Sequence, residues 1–211
     1  MSAPFLSRPG PVHISALITP ALLAAAVPTF AQQAAVQQGW SVGPTVSFVD
    51  FSAAGADGAG TEAAFARATA AGLEVEHAMG PLALLLAIEQ LTTRIQVRDE
   101  AVTIEPREPA VGRTRFGLAL RGTLVRRNGA RLVLDAGPTL DLWSPDGSAS
   151  RSSGGAGARL ALEMHAGPVS IENAVGVGIS KGPLDAEDLP EGYERRTLRT
   201  ITFTFAARFG L

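Results

Sequence analysis

The reading of the fold turns on Thr197–Leu211, TLRTITFTFAARFGL. From Ile201 onward one alternate set is Ile201, Phe203, Phe205, Ala207, Phe209 and Leu211, and the other is Thr200, Thr202, Thr204, Ala206, Arg208 and Gly210. A two-residue period with one greasy and one polar side is the signature of a β-strand lying between two different environments. The rest of the chain repeats this pattern. In Trp40–Phe48, Trp40, Val42, Val46 and Phe48 alternate with Ser41, Gly43, Thr45 and Ser47.

Composition narrows the class. The chain has 211 residues, 46% hydrophobic and 18% charged, yet no apolar run reaches the roughly 20 residues of a spanning helix. Its 18 basic and 20 acidic residues give a formal charge of -2 with no basic block, which argues against a nucleic-acid partner. With no cysteine, disulfides, thiolate metal sites and cysteine nucleophiles are excluded. No cofactor motif is present: neither a phosphate-binding Gly-rich loop, a zinc motif nor a nucleophile elbow occurs. Residues 1–31 combine Arg8, an apolar stretch from Ile14 to Val27 and Thr29-Phe30-Ala31, the order of a secretory signal peptide cleaved after Ala31. Residues 32–211 are then expected to form one domain.

Taken in order, the strands sort into pairs. Ser52–Gly60 is small, polar and aperiodic and reads as a mobile loop. In the next strand Thr69, Ala71, Leu73, Val75 and Met79 share one face and Gly72, Glu74 and Glu76 the other, up to a turn at Gly80-Pro81. A two-residue loop there pairs Met79 with Leu82, so Leu84, Leu86 and Ile88 join the apolar face and Glu89 the polar one. Gly first and Pro second fits a type II′ turn. Residues 92–112 are charged, and strands are expected to project past the apolar band before turning near Asp99-Glu100. Phe116, Leu118, Leu120 and Leu124 then face Leu132, Leu134, Ala136, Leu140 and Leu142 on a partner strand.

Asn128-Gly129 ordinarily marks a two-residue type I′ hairpin. Here the apolar residues are even-numbered on both strands, so paired positions must sum to an even number, and a three-residue loop, Asn128–Ala130, with a bulge is expected instead. Ser144–Gly157 reads as a second polar loop, with Trp143 at its edge as an interfacial aromatic. The next hairpin sets Ala158, Leu160, Leu162, Met164 and Ala166 against Val169, Ile171, Val175, Val177 and Ile179 across a turn at Gly167-Pro168. Lys181–Arg196 is a last polar segment.

These segments make about eight strands of roughly ten residues, with short turns alternating with long loops, the pattern of an all-β, antiparallel, up-and-down transmembrane barrel. On the signal peptide, this alternation and the closing strand, the chain from Gln32 to Leu211 resembles the small bacterial outer-membrane β-barrel family that includes the OmpA transmembrane domain and OmpX-like proteins. The resemblance implies an eight-stranded barrel in the outer membrane. Both termini and the short turns would lie on the periplasmic rim, with no peptidoglycan-binding domain after the last strand. It implies as partners outer-membrane lipids, lipopolysaccharide and the barrel-assembly machinery, and a monomeric state. Family members commonly end in Phe or Trp, whereas this chain ends Phe209-Gly210-Leu211.

The interior of an eight-stranded barrel is just wide enough for side chains to fill. The polar faces place there Glu74, Glu76, Glu89, Arg115, Arg121, Arg131, Asp135, Asp141, Arg159, Glu163, His165, Glu172 and Arg208. Charges in such a space need partners, so a salt-bridged and water-bridged plug is expected. The turn at Gly167-Pro168 sets Glu163 directly opposite Glu172, which requires an arginine between them or one protonated carboxyl. As a functional alternative that pair is a general acid and base, or a proton path. His165 is expected inside, bonded to Glu172 or water, and His77 on the outer face near the periplasmic rim. The only His-x-Ser, the pattern of outer-membrane lipid A deacylases, is His13-Ile14-Ser15, within the expected signal peptide. The leading expectation is a non-enzymatic barrel with a structural or surface-interaction role. Its rivals are a lipid-modifying enzyme, a narrow pore and a soluble lipocalin-like barrel with its apolar faces inward. The polar faces are rich in Gly, Ala, Ser and Thr, and such small residues suit a crowded interior better than a solvated surface.

Overall fold

A computed structural model describes residues 38–99, 103–104, 110–145, 149–184 and 192–211. The expected signal peptide lies outside the described residues. The strands are β1 (Gln38–Phe51), β2 (Ala53–Ala56), β3 (Glu62–Phe65), β4 (Ala68–Met79), β5 (Leu82–Arg98), β6 (Thr103–Ile104), β7 (Ala110–Arg127), β8 (Ala130–Pro145), β9 (Arg151–Ala166), β10 (Val169–Lys181), β11 (Glu194–Arg195) and β12 (Thr197–Gly210). Eight of them close a ring in the order β1–β4–β5–β7–β8–β9–β10–β12, every neighbour antiparallel, with β12 returning to pair β1. Closure leaves no free ladder edge, which a sheet in hydrocarbon requires.

The apolar faces point outward. Each ring strand contributes an exposed large side chain to a continuous belt: Phe48, Leu73, Leu86, Leu118, Leu134, Leu160, Val175 and Phe203. At the short-turn end the belt is edged by Trp40, half exposed and stacked on His77 at 4.3 Å. That arrangement rules out the inverted, lipocalin-like packing, in which these residues would be inside.

The three short turns have two residues each, shown by the pairs Met79↔Leu82, Arg127↔Ala130 and Ala166↔Val169. Gly80 and Gly167 take positive φ, +80° and +63°, ahead of a proline, as a type II′ turn demands. Asn128 (φ +48°) and Gly129 (φ +79°) are both left-handed, a type I′ turn. The three-residue loop expected at 128–130 is therefore corrected. The parity conflict that prompted it is real, but the chain resolves it elsewhere. Thr123 pairs with Val133 and Val125 with Leu132, so Leu124 is an extra residue bulged out of β7, and the sum of paired positions becomes odd only beyond it.

The ring is pinched most tightly at two places. A Cβ on Gly43 would lie 1.8 Å from the Ala207 carbonyl oxygen, and one on Gly137 would lie 2.0 Å from that of Leu118. Glycine is the residue that allows those approaches.

At the other end the strands run past the belt and fold over. Ser52–Gly60 is not simply a loop: Ala53–Ala56 pairs with Glu62–Phe65, which pairs with the end of β5, and β11 adds to the far side. Ala53, Ala54, Ala56, Ala63, Ala64 and Phe65 are all buried in this small sheet. Asp57 tightens its turn, its Oδ1 accepting from the backbone N–H of Ala59 (3.0 Å) and Thr61 (2.7 Å). The Thr61 N–H holds that carboxyl below the usual carboxylate range. Residues 151–157, also read as loop, belong to β9, where small side chains lie beside bulky ones, as in Leu140↔Gly154 and Leu142↔Ser152.

A substitution pair tests the sidedness. Phe203→Arg, in the belt, is expected to destabilise the protein refolded into lipid vesicles by roughly 2–4 kcal/mol. Ile104→Arg, exposed on β6 beyond the belt, is expected to change it by less than about 0.5 kcal/mol. Urea titration in vesicles reads both, and equal effects would contradict the assignment of the belt.

The lumen as candidate functional site

Because side chains alternate along each strand, residues from all eight ring strands converge in the lumen. At the short-turn end they form one ionic cluster. Arg121 grips Asp135 with two parallel bonds, Nε to Oδ1 at 2.6 Å and Nη2 to Oδ2 at 2.8 Å, the fork geometry that suits guanidinium to carboxylate. Its Nη1 also lies 2.8 Å from Glu76 and 2.9 Å from Glu172. Arg159 ties Asp135 (2.8 Å) to Glu74. Arg131 ties Glu76 (3.1 Å) to Glu163 (2.9 Å).

Glu163 and Glu172 face each other across the β9–β10 ladder. Arg208 lies between them, its Nη2 donating to Glu163 Oε2 at 2.9 Å and to Glu172 Oε2, while its Nη1 reaches Glu74 at 3.0 Å. Both carboxylates are therefore held by the same guanidinium. His165, on the rim with about a third of its side chain exposed, pairs through Nε2 with Glu163 at 3.1 Å. Its partner is Glu163 rather than the expected Glu172 or water, because residues two apart on one strand share a face.

Glu89, Arg115 and Asp141 lie apart from this cluster, further toward the long-loop end. Arg115 binds Asp141 by Nε (2.7 Å) and Nη2 (2.9 Å), and Glu89 accepts from Ser47 Oγ at 2.8 Å. A cavity of about 120 Å³ separates the two levels, lined by Glu89, Arg115, Thr139, Thr200, Thr202 and Thr204 together with Glu74, Asp135 and Arg159 of the cluster. A second, of about 240 Å³, opens at the short-turn mouth between Glu76, Arg131, Glu163, His165 and Ser170.

Above Arg115 the lumen changes character. Phe51, Phe65, Trp143, Val111, Leu91, Val49 and Leu198 form an apolar cluster. Trp143 is fully buried, stacked on Phe65 at 5.1 Å and donating from Nε1 to Ser153 Oγ at 3.2 Å. It is not the interfacial aromatic expected at the loop edge. Position 143 shares the parity of Asp141, and that parity points inward. Arg113, which the sequence reading passed over, lies among these rings, 5.4 Å from Phe51 and 5.6 Å from Trp143, with Asp141 at 4.0 Å. It could have been found from Arg115, two residues on along the same face. Among the described residues, no group of three or more His, Asp and Glu side chains is placed to hold a metal ion.

No protein-family model matches the sequence, and no curated protein does. Solved structures match over nearly their whole length. Neisserial surface protein A superposes with a TM-score of 0.60 at 12% identity, covering 82% of this chain and 97% of that one. The outer membrane protein OprG from Pseudomonas aeruginosa gives 0.56 at 11% identity, with 82% and 96% covered. The fold is that of the small outer-membrane β-barrels. The outer membrane protein AlkL, solved in lipid bilayers, gives 0.51 at 13% identity, covering 86% of this chain and 94% of that one. At these identities the likeness is one of backbone.

Removing one partner of a buried ion pair leaves the others uncompensated and typically costs roughly 3–5 kcal/mol. Arg208→Met is expected to destabilise by about that much. Arg67→Met, which breaks an exposed pair with Asp50, is expected to cost at most about 1 kcal/mol. Equal losses in urea unfolding would show that the cluster contributes nothing special.

Proposed function

We infer that the protein is a non-enzymatic, monomeric barrel of the bacterial outer membrane, set with its short turns toward the periplasm and its folded-over strands outward. Its role is structural or one of surface interaction through that outer sheet. What supports the membrane setting is the continuous exposed belt, which in water would be an apolar patch far larger than monomeric soluble proteins carry. What supports a passive lumen is one observation: the charged groups at the short-turn end are spent on each other, and aromatic rings fill the opposite end. A catalytic carboxyl needs a reachable substrate and a free proton position, whereas Glu163 and Glu172 are buried and bound to arginine.

Purified without residues 1–31, the protein is expected to require detergent and to migrate differently on gels before and after heating. Solubility as a monomer without detergent would refute the membrane reading. In planar bilayers the native protein is expected to show no steady conductance, and a stable open channel would refute the passive lumen.

A further inference from the structure

The apolar alternation of β10 is broken at one outward position. Val169, Ile171, Val175, Val177 and Ile179 are apolar, but between Ile171 and Val175 stands Asn173, exposed, with Glu172 and Ala174 buried on either side of it. Its side chain therefore leaves the barrel inside the belt, with three apolar outward positions of its own strand toward one end and two toward the other. The register sets it opposite Leu162 on β9 and Phe205 on β12, both exposed on the same face. Ile171, Val175, Leu162 and Phe205 carry no hydrogen-bonding side chain, and the backbone groups of the flanking strands are taken up in the two ladders. A carboxamide is too short to carry its polar end along the surface to the headgroups, as lysine and arginine can. Acyl chains offer it no partner, and an amide left without one in hydrocarbon is strongly unfavourable.

The occupant that matches is a second copy of this chain. A carboxamide holds donor and acceptor in one plane, so two of them complement each other through a pair of N–H···O=C bonds. Copies inserted in one membrane share one orientation, so Asn173 recurs at the same depth in each. A two-fold axis along the membrane normal then brings identical positions together. Beside the amide the wall is low: Ala207, diagonal to Asn173 across the β10–β12 ladder, lets a partner approach closely. On the opposite side of the ring β5 presents Leu82, Leu84, Leu86 and Ile88 with no polar break. We propose that two complete barrels associate side by side in the membrane through the β10 face, joined by Asn173 of each. The inference rests on the membrane setting given above and goes beyond it. The barrel itself stays monomeric, one chain closing one ring, and what is added is how two finished barrels meet.

The chain has no cysteine, so single thiols can be introduced without interference. Barrels carrying Ala59→Cys, in the exposed turn between β2 and β3, are labelled with donor or acceptor dyes, refolded into phosphatidylcholine vesicles and diluted with lipid. Energy transfer is expected to fall along a monomer–dimer curve. Asn173→Leu is expected to weaken association about 5- to 30-fold, the usual worth of polar bonds between membrane-spanning segments. With a short bis-maleimide, Val175→Cys beside the amide is expected to cross-link, and Leu86→Cys on β5 is expected not to. Urea unfolding of Asn173→Leu in vesicles is expected at or above the native midpoint, because leucine suits lipid better than an amide, and this separates a lost contact from a lost fold. Native barrels that stay monomeric at every density, an unchanged curve for Asn173→Leu, equal cross-linking at the two thiols, or a lower urea midpoint for Asn173→Leu would each overturn the proposal. Failure of the native protein to float with the vesicles would instead bring down the membrane reading.

Discussion

The β1–β12 ladder, from Ser41↔Gly210 to Phe51↔Thr200, is the pairing on which everything else depends. It joins the first described strand to the last. Until it forms, both strands present open rows of N–H and C=O groups, each of which costs several kcal/mol in hydrocarbon. The closing strand must therefore satisfy three demands at once. It supplies belt residues at Ile201, Phe203 and Phe205, it brings Arg208 to the centre of the ionic cluster, and it passes close to Gly43. One stretch of sequence thus couples closure, membrane contact and lumen filling.

Closure then dictates the chemistry inside. A ring of this size has little room for bulk solvent, so the charged side chains must neutralise one another. In the short-turn cluster Arg121, Arg131, Arg159 and Arg208 meet Glu74, Glu76, Asp135, Glu163 and Glu172, and His165 joins it at the rim through Glu163. Arginine suits this task because its planar fork can hold two or three carboxylates in fixed directions, which a lysine ammonium cannot. All the arginines of the lumen were present to be read as odd-numbered or even-numbered members of a strand face, but which carboxylate each one grips depends on the stagger around the ring, and alternation along single strands does not carry that.

The ring, its inward and outward faces and two of its three turns were legible because a period of two is robust and a two-residue hairpin ties one face to the next. The failures are equally physical. At Asn128-Gly129 the turn chemistry and the parity disagreed, and both were right: the bulge at Leu124 reconciles them, and a bulge outside the turn has no composition cue of its own. The strands at Ala53–Ala56 and Glu62–Phe65 were missed because alanine has low strand propensity and their pairing is decided by the projecting end of β5. Arg151–Gly157 was missed because its Ser and Gly residues are there to make room for Leu140 and Leu142, a property of the partner strand. Trp143 was legible and misread: the parity of Asp141 placed it inside, and the habit of assigning tryptophan to interfaces overrode it.

The lumen is filled at two levels, by an arginine–carboxylate cluster at one end and by stacked rings around Arg113 at the other, and the two share no residue. They also rest on different forces: ion pairing holds the first, and apolar packing the second. In engineering language this is redundancy with independent failure modes. A point substitution that opens space in either one leaves every residue of the other in place.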